Sequence, residues 1–181
     1  MDAARYTGVA IALHWVVALL VPCGFALGLY MVDLDFSPRK LSLYSYHKWI
    51  GVTVFALAVL RIAWRLAHPP PNLPSTVPRW QVAASRAVHF LLYVCLVAGP
   101  VSGWLYSSAS GVPTVPFGIA ALQLPDLVSK DRELALTLKF VHMTIVYSLA
   151  LLVAVHVTAA LKHQLIDRDG IIGRMLPART S

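Results

Sequence analysis

The sequence predicts an all-α protein, a transmembrane four-helix bundle, and three observations carry that expectation. Of 181 residues, 58% are hydrophobic and the mean hydropathy is +0.69, which leaves too little polar side chain to clothe a water-soluble globule of this size. Four apolar stretches each reach the roughly 20 residues needed to cross a bilayer core about 30 Å thick. Together they take up most of the chain, so residues 1–181 read as a single membrane-embedded domain with little chain left for a separate soluble one.

The first stretch, Val9 to Val32, is 24 residues without a formal charge, broken only by His14 and by Pro22, which a membrane helix tolerates. It is too long for a secretory leader and has no small-residue cleavage site after it, so it reads as a retained span. The second runs from about Leu43 to Leu66. Lys48 lies near one end and Arg61 and Arg65 near the other, where long side chains reach the headgroups. The third, Ala87 to Ser110, holds His89 and a Gly99, Pro100, Gly103 group that either kinks the helix or admits close packing. The fourth, Phe140 to Leu161, is 22 uncharged residues between Lys139 and Lys162, about 33 Å of helix.

Between the second and third spans, Pro69, Pro70, Pro71, Pro74 and Pro78 rule out helix and predict a stiff polyproline connector. The link from Gly111 to Leu138 is long for a compact bundle and mixes apolar residues with Asp126, Lys130, Asp131, Arg132 and Glu133, as functional or interfacial loops do. With four spans, both ends of the chain and the second loop share one face. That face carries Arg5, Arg61, Arg65, Arg79, Arg86, Lys162, Arg168, Arg174 and Arg179, which is 9 of the 15 bases, so both termini are expected to be cytoplasmic.

Although the formal charge is +7, the bases are spread over the loops and form no single face for nucleic acid. Cys23 and Cys95 fall in mid-span with no CxxC or CxxCH, so neither a disulfide framework nor covalent c-type haem is indicated; both are expected to serve in packing.

Ionisable groups inside a membrane are costly and usually functional, so the depth of each of the seven histidines within the spans matters. His14 lies about two turns inside the cytoplasmic edge and His156 close to the same edge on the fourth span. His47 and His142 lie just inside the opposite edge. Two layers result, each with two imidazoles from different helices. His142 and His156 are 14 residues apart, about 1400° of rotation and about 21 Å, so one helix presents both inward, one above the other. Haem b takes its axial ligands on a line through the macrocycle, and two opposed imidazoles leave no open position for oxygen, which points to electron transfer through two haems b. Taken singly, each histidine is equally consistent with an interhelical hydrogen bond; four in two matched depths are not.

Other residues keep two readings. His89 opens the third span, to pack or to contact the inner haem's propionates. His163, one heptad beyond His156, is placed to meet a quinone carbonyl or to stand solvated at the interface. His68 is expected to face solvent. Arg61 and Arg65, one turn apart near the inner layer, are placed to pair with haem propionates or with lipid phosphate.

Beyond this reading, the chain resembles the bacterial cytochrome b561 family, the four-helix di-haem membrane cytochromes that include the superoxide oxidase of the inner membrane. The resemblance rests on "YTGVAIALHW" at Tyr6 to Trp15, "YHKWIGVTVFALAVLRIAWRL" from Tyr46, the proline-rich loop, "HFLLYVCLVAGPVSGW" from His89, "VHMTIVYSLALLVAVHVTAALKH" from Val141, and "GRMLP" near the end. It implies that His14, His47, His142 and His156 are the haem ligands and that His163 contacts quinone. It implies location in the bacterial inner membrane and a superoxide:ubiquinone oxidoreductase activity, in which a periplasmic donor such as superoxide reduces the outer haem and the inner haem passes electrons to ubiquinone. Relatives that serve as haem-b subunits of larger dehydrogenases or hydrogenases imply the alternative, a relay that docks a redox partner subunit.

Overall fold

The computed structural model describes residues 5–71 and 77–176. It is all-helical, with four long helices: α1 (Gly8–Val32), α2 (Pro38–Ala67), α3 (Arg79–Ala109) and α4 (Arg132–Lys162). All four are long and apolar enough to cross a membrane. Pro74 of the connector and Arg179 of the carboxyl end lie outside the described residues, while Pro69 to Pro71 are non-helical, as expected.

Three of the four helices begin at a side chain that caps their first N–H groups, while α3 starts after Pro78 without one. Thr7 caps α1 by accepting from Ala10 N, and Ser37 caps α2 by accepting from Lys40 N, with Pro38 as the first helical residue. Asp131 caps α4 by accepting from Leu134 N at 2.9 Å, with Glu133 in the first turn. The helix starts correct the sequence reading at three places. Residues 38–42, 79–86 and 132–139, read as loop, are helical, because hydropathy marks only the part of a helix that is apolar, whereas hydrogen bonding carries the backbone on into the interface. The Gly111–Leu138 link therefore shrinks to residues 110–131.

That link is pinned to the bundle end. Trp49 Nε1 donates to the Val115 carbonyl at 2.8 Å, and Lys48 Nζ donates to the carbonyls of Val112 and Pro113 at 3.2 and 3.1 Å. Buried Ser107 and Ser108 bond the same loop at Val112 O and Leu127 N. At the other end of the bundle the two chain ends meet: Tyr6 N donates to Arg174 O at 3.3 Å, Trp15 Nε1 to Met175 O at 2.7 Å, and Arg5 to Leu176 O.

Packing runs α1 on α2, α2 on α3 and α3 on α4, whereas α1 meets α4 over far less surface and α2 hardly meets α4 at all. A small core of Val17, Val54, Ala58, Leu96 and Leu149 is buried at mid-depth, with Cys95 packed against it. Leu149 is seven residues from both His142 and His156, so this core separates the two histidine layers. Large apolar side chains such as Leu19, Phe90, Phe140 and Leu151 are instead 66–73% exposed, the surface a helix offers to lipid. Cys23 corrects the packing expectation, since it is exposed on the bundle's outside.

Candidate functional site

Three helices contribute the four histidines of the two layers: α1 (His14), α2 (His47) and α4 (His142 and His156). The structure brings them together as the depths suggest. The ring centroids of His47 and His142 are 6.2 Å apart, and those of His14 and His156 are 6.3 Å apart. Both couples reach across helix pairs that pack sparsely, α2 with α4 and α1 with α4.

The outer couple is oriented by backbone. His47 Nδ1 lies 3.1 Å from the Gly24 carbonyl, and His142 Nδ1 lies 3.0 Å from the Gly99 carbonyl and 3.1 Å from Ser102 Oγ. A carbonyl can only accept, so each neutral ring carries its proton on Nδ1 and keeps the Nε2 lone pair free, the tautomer an imidazole needs to bind metal through Nε2. Glycines make room for the rings. A Cβ at Gly28 would stand 3.2 Å from His47 Cε1, and one at Gly103 would stand 3.1 Å from His142 Cε1.

The inner couple is set differently. His14 Nδ1 is, among the described residues, the one buried side-chain nitrogen or oxygen without a hydrogen-bond partner. A buried polar atom left unpaired calls for a partner the chain does not supply, such as an ion or cofactor. A third imidazole stands beside it: the His89 ring lies 5.0 Å from that of His156, with Nδ1 held 2.6 Å from the Ser85 carbonyl. Sequence reasoning left His89 unassigned; the fold places it against His156.

The dimensions match a metal held between two imidazoles. Two nitrogen–metal bonds of about 2 Å, with about 1 Å more from each nitrogen to its ring centre, give roughly 6 Å between centroids. The free Nε2 atoms of the outer couple, the orphaned His14 nitrogen, the glycine clearances and the sparse contact of α4 with α1 and α2 all fit a flat metal macrocycle in each layer.

The remaining candidates lie toward the end of the bundle that carries the chain termini. Arg61 and Arg65 stack their guanidinium groups on one ring, Tyr93, at 5.6 and 6.0 Å. They line a cleft with Tyr6, Ala10, Trp64, His68 and Met175. His68 is exposed, as expected, and stacks on Trp64 at 4.2 Å. His163 follows α4 directly and is mostly buried, its Nδ1 bonded to Asp169 Oδ2 at 2.6 Å. Nothing in the sequence pattern singled out Asp169, Ser102 or Gly28, because their roles depend on which helix lies opposite.

Residues 5–178 match the family described as prokaryotic cytochrome b561. Cytochrome b561 homolog 2 of Escherichia coli (strain K12) is 36% identical over 181 residues, covering 98% of this chain and 94% of the relative. A protein of Yersinia pestis named probable superoxide oxidase CybB is 27% identical, with 97% of each chain covered. Cytochrome b561 homolog 1 of Escherichia coli (strain K12) is also 27% identical, covering 97% of this chain and 98% of the relative. The chain belongs to the prokaryotic cytochrome b561 family, and is a membrane electron-transfer protein of a family that carries haem b.

Proposed function

We propose that this protein is a single-domain, di-haem cytochrome of the bacterial inner membrane that takes electrons from superoxide at the periplasmic face and delivers them to ubiquinone at the face carrying both chain ends. The observation that carries the reading is the pair of histidine couples, 6.2 and 6.3 Å between centroids, at two depths on a shared α4. In this reading His47 and His142 hold the outer haem, and His14 and His156 the inner one. Haem held by these histidines would supply reversible one-electron chemistry.

The chain's own residues do the rest. The Gly24 and Gly99 carbonyls fix the outer rings with Nε2 directed away from the backbone. The mid-depth core of Val17, Val54, Ala58, Leu96 and Leu149 keeps water out of the space between layers. Arg61 and Arg65, near the inner layer, offer guanidinium donors to carboxylate groups of the bound cofactor. The excess of bases on the face with both termini supports a cytoplasmic assignment for it. Superoxide as donor draws support from the relative named probable superoxide oxidase, and His163, one heptad beyond His156, faces the level where ubiquinone would be reduced.

The test is direct. Purified protein should contain about two haems b per chain by pyridine haemochrome assay. Superoxide generated in its presence should then form ubiquinol with two superoxide ions consumed per quinol and no added partner. Strict dependence on a separate redox subunit would replace this reading with that of a haem-b relay.

A further inference from the structure

Below the inner couple, α4 ends in a construction that the electron path does not use. At Lys162 the helix widens into a π-turn over His163–Asp167, after which Arg168 (φ 50) and Gly170 (φ 74) both take left-handed backbone. A left-handed conformation is unfavourable for a non-glycine residue, so at Arg168 the surrounding contacts must hold it. The reversal returns Asp169 to the imidazole six residues upstream. His163 Nδ1 stands 2.6 Å from Asp169 Oδ2 and 3.2 Å from Asp167 Oδ2, and Lys162 takes the latter oxygen at 2.6 Å. The second oxygen of Asp169 accepts from Ile171 N at 3.1 Å, which fixes the carboxylate. The side chains of His163 and Asp169 are only 18% and 15% exposed, so the couple is screened from water though it sits at the bundle's end.

A histidine whose one nitrogen is bound to a fixed carboxylate is oriented for proton transfer at the other. The three side chains also lie close enough together to ligate a cation, within 4.8 Å. Each carboxylate already faces the imidazole or the Lys162 ammonium, however, and a cation would have to displace those partners.

We infer that Asp169 is a positioning residue for proton delivery to quinone: it holds the His163 ring by Nδ1–H and so presents Nε2–H to a quinone carbonyl. The inference rests on the reading of His163 as the quinone contact. Quinone takes two electrons and two protons to become quinol, and two superoxide ions each give up one electron and leave as dioxygen. One proton passes from Nε2 of His163, protonated on both nitrogens, to the carbonyl oxygen it faces; the N–H bond breaks as the O–H bond forms. The proton for the opposite oxygen comes from water on this face, as does the one that restores Nε2.

The experiment uses the haem-loaded protein with Asp169→Asn and Asp169→Glu. Superoxide should reduce the haem bands of both variants as fast as those of the parent. Quinol formation by Asp169→Asn should fall about tenfold or more in kcat, the size of effect seen when the partner of a working histidine is removed, with the quinone KM moved less. Its solvent deuterium isotope effect on kcat should rise above the parent's, and Asp169→Glu should restore most of the rate. If the parent makes quinol and Asp169→Asn matches it in rate and isotope effect, or loses rate with neither a raised isotope effect nor recovery in Asp169→Glu, the inference is wrong. If the parent's haems accept electrons but no quinol forms, the quinone reading itself fails, and the inference with it.

Discussion

Adding one methyl group at Gly103 should loosen the outer haem and leave the inner one in place. The Cβ of Gly103→Ala would lie 3.1 Å from His142 Cε1 and 3.3 Å from Nδ1, where carbon contacts settle at about 3.5–4.0 Å. The ring must therefore retreat by a few tenths of an ångström. It has little freedom to do so, because Nδ1 is held by Gly99 O at 3.0 Å and Ser102 Oγ at 3.1 Å. Tilting it off its rotamer costs about 0.5–1.5 kcal/mol. At about 1.4 kcal/mol per factor of ten, outer-haem affinity should fall about 2- to 10-fold. Gly103→Val, with overpacking of about 1–3 kcal/mol, should take the haem count from two toward one. Gly99→Ala is the control, since its Cβ would meet Ile145 and Val146 at 3.8 and 3.9 Å, ordinary contact. Alanine also favours helix over glycine by about 1 kcal/mol, so general unfolding would not explain a selective loss. Haem quantification, reduced-minus-oxidised spectra and the rate of haem loss on warming read the effect. Retention of both haems with unchanged loss rates in Gly103→Val, or equal loss in Gly99→Ala, would refute the reasoning.

Further outcomes follow from the same geometry. Alanine at His47 or His142 should remove the outer haem alone, and alanine at His14 or His156 the inner one alone, each leaving about one haem per chain by pyridine haemochrome. His89→Phe should keep two haems, because the 6.3 Å spacing of His14 and His156 matches the outer couple's 6.2 Å while the 5.0 Å between His89 and His156 does not; a preparation with one haem would overturn that assignment. Trp49→Phe removes the 2.8 Å bond to Val115 O and should weaken the anchoring of residues 110–131 by about 1 kcal/mol, read as faster amide exchange in that loop with unchanged exchange at mid-depth in the helices.

The histidine layers were legible before any coordinates because depth along an apolar helix is simply residue count times rise. His14 with His156 and His47 with His142 followed from position alone. The helix ends were not, since hydropathy is blind to the polar turns at 38–42, 79–86 and 132–139 that capping and backbone hydrogen bonds keep helical. Cys23 was misread for a related reason: an apolar run shows that a residue is in the membrane, not whether it faces lipid or protein. His89 stood between two readings and Asp169 gave no signal, because each matters through a neighbour brought to it by the fold.

The sequence by itself determined the all-helical membrane class, the four spans and the levels at which imidazoles sit, since hydrophobic length and the 1.5 Å rise are properties of a single helix. The tertiary structure decided which helices stand apart enough to host a flat group, which carbonyls set the tautomers of His47 and His142, and how Asp169 returns to His163. Those depend on rotation and contact between helices, and a rotation of a few tens of degrees, invisible to hydropathy, would turn any of these rings from its partner to the lipid.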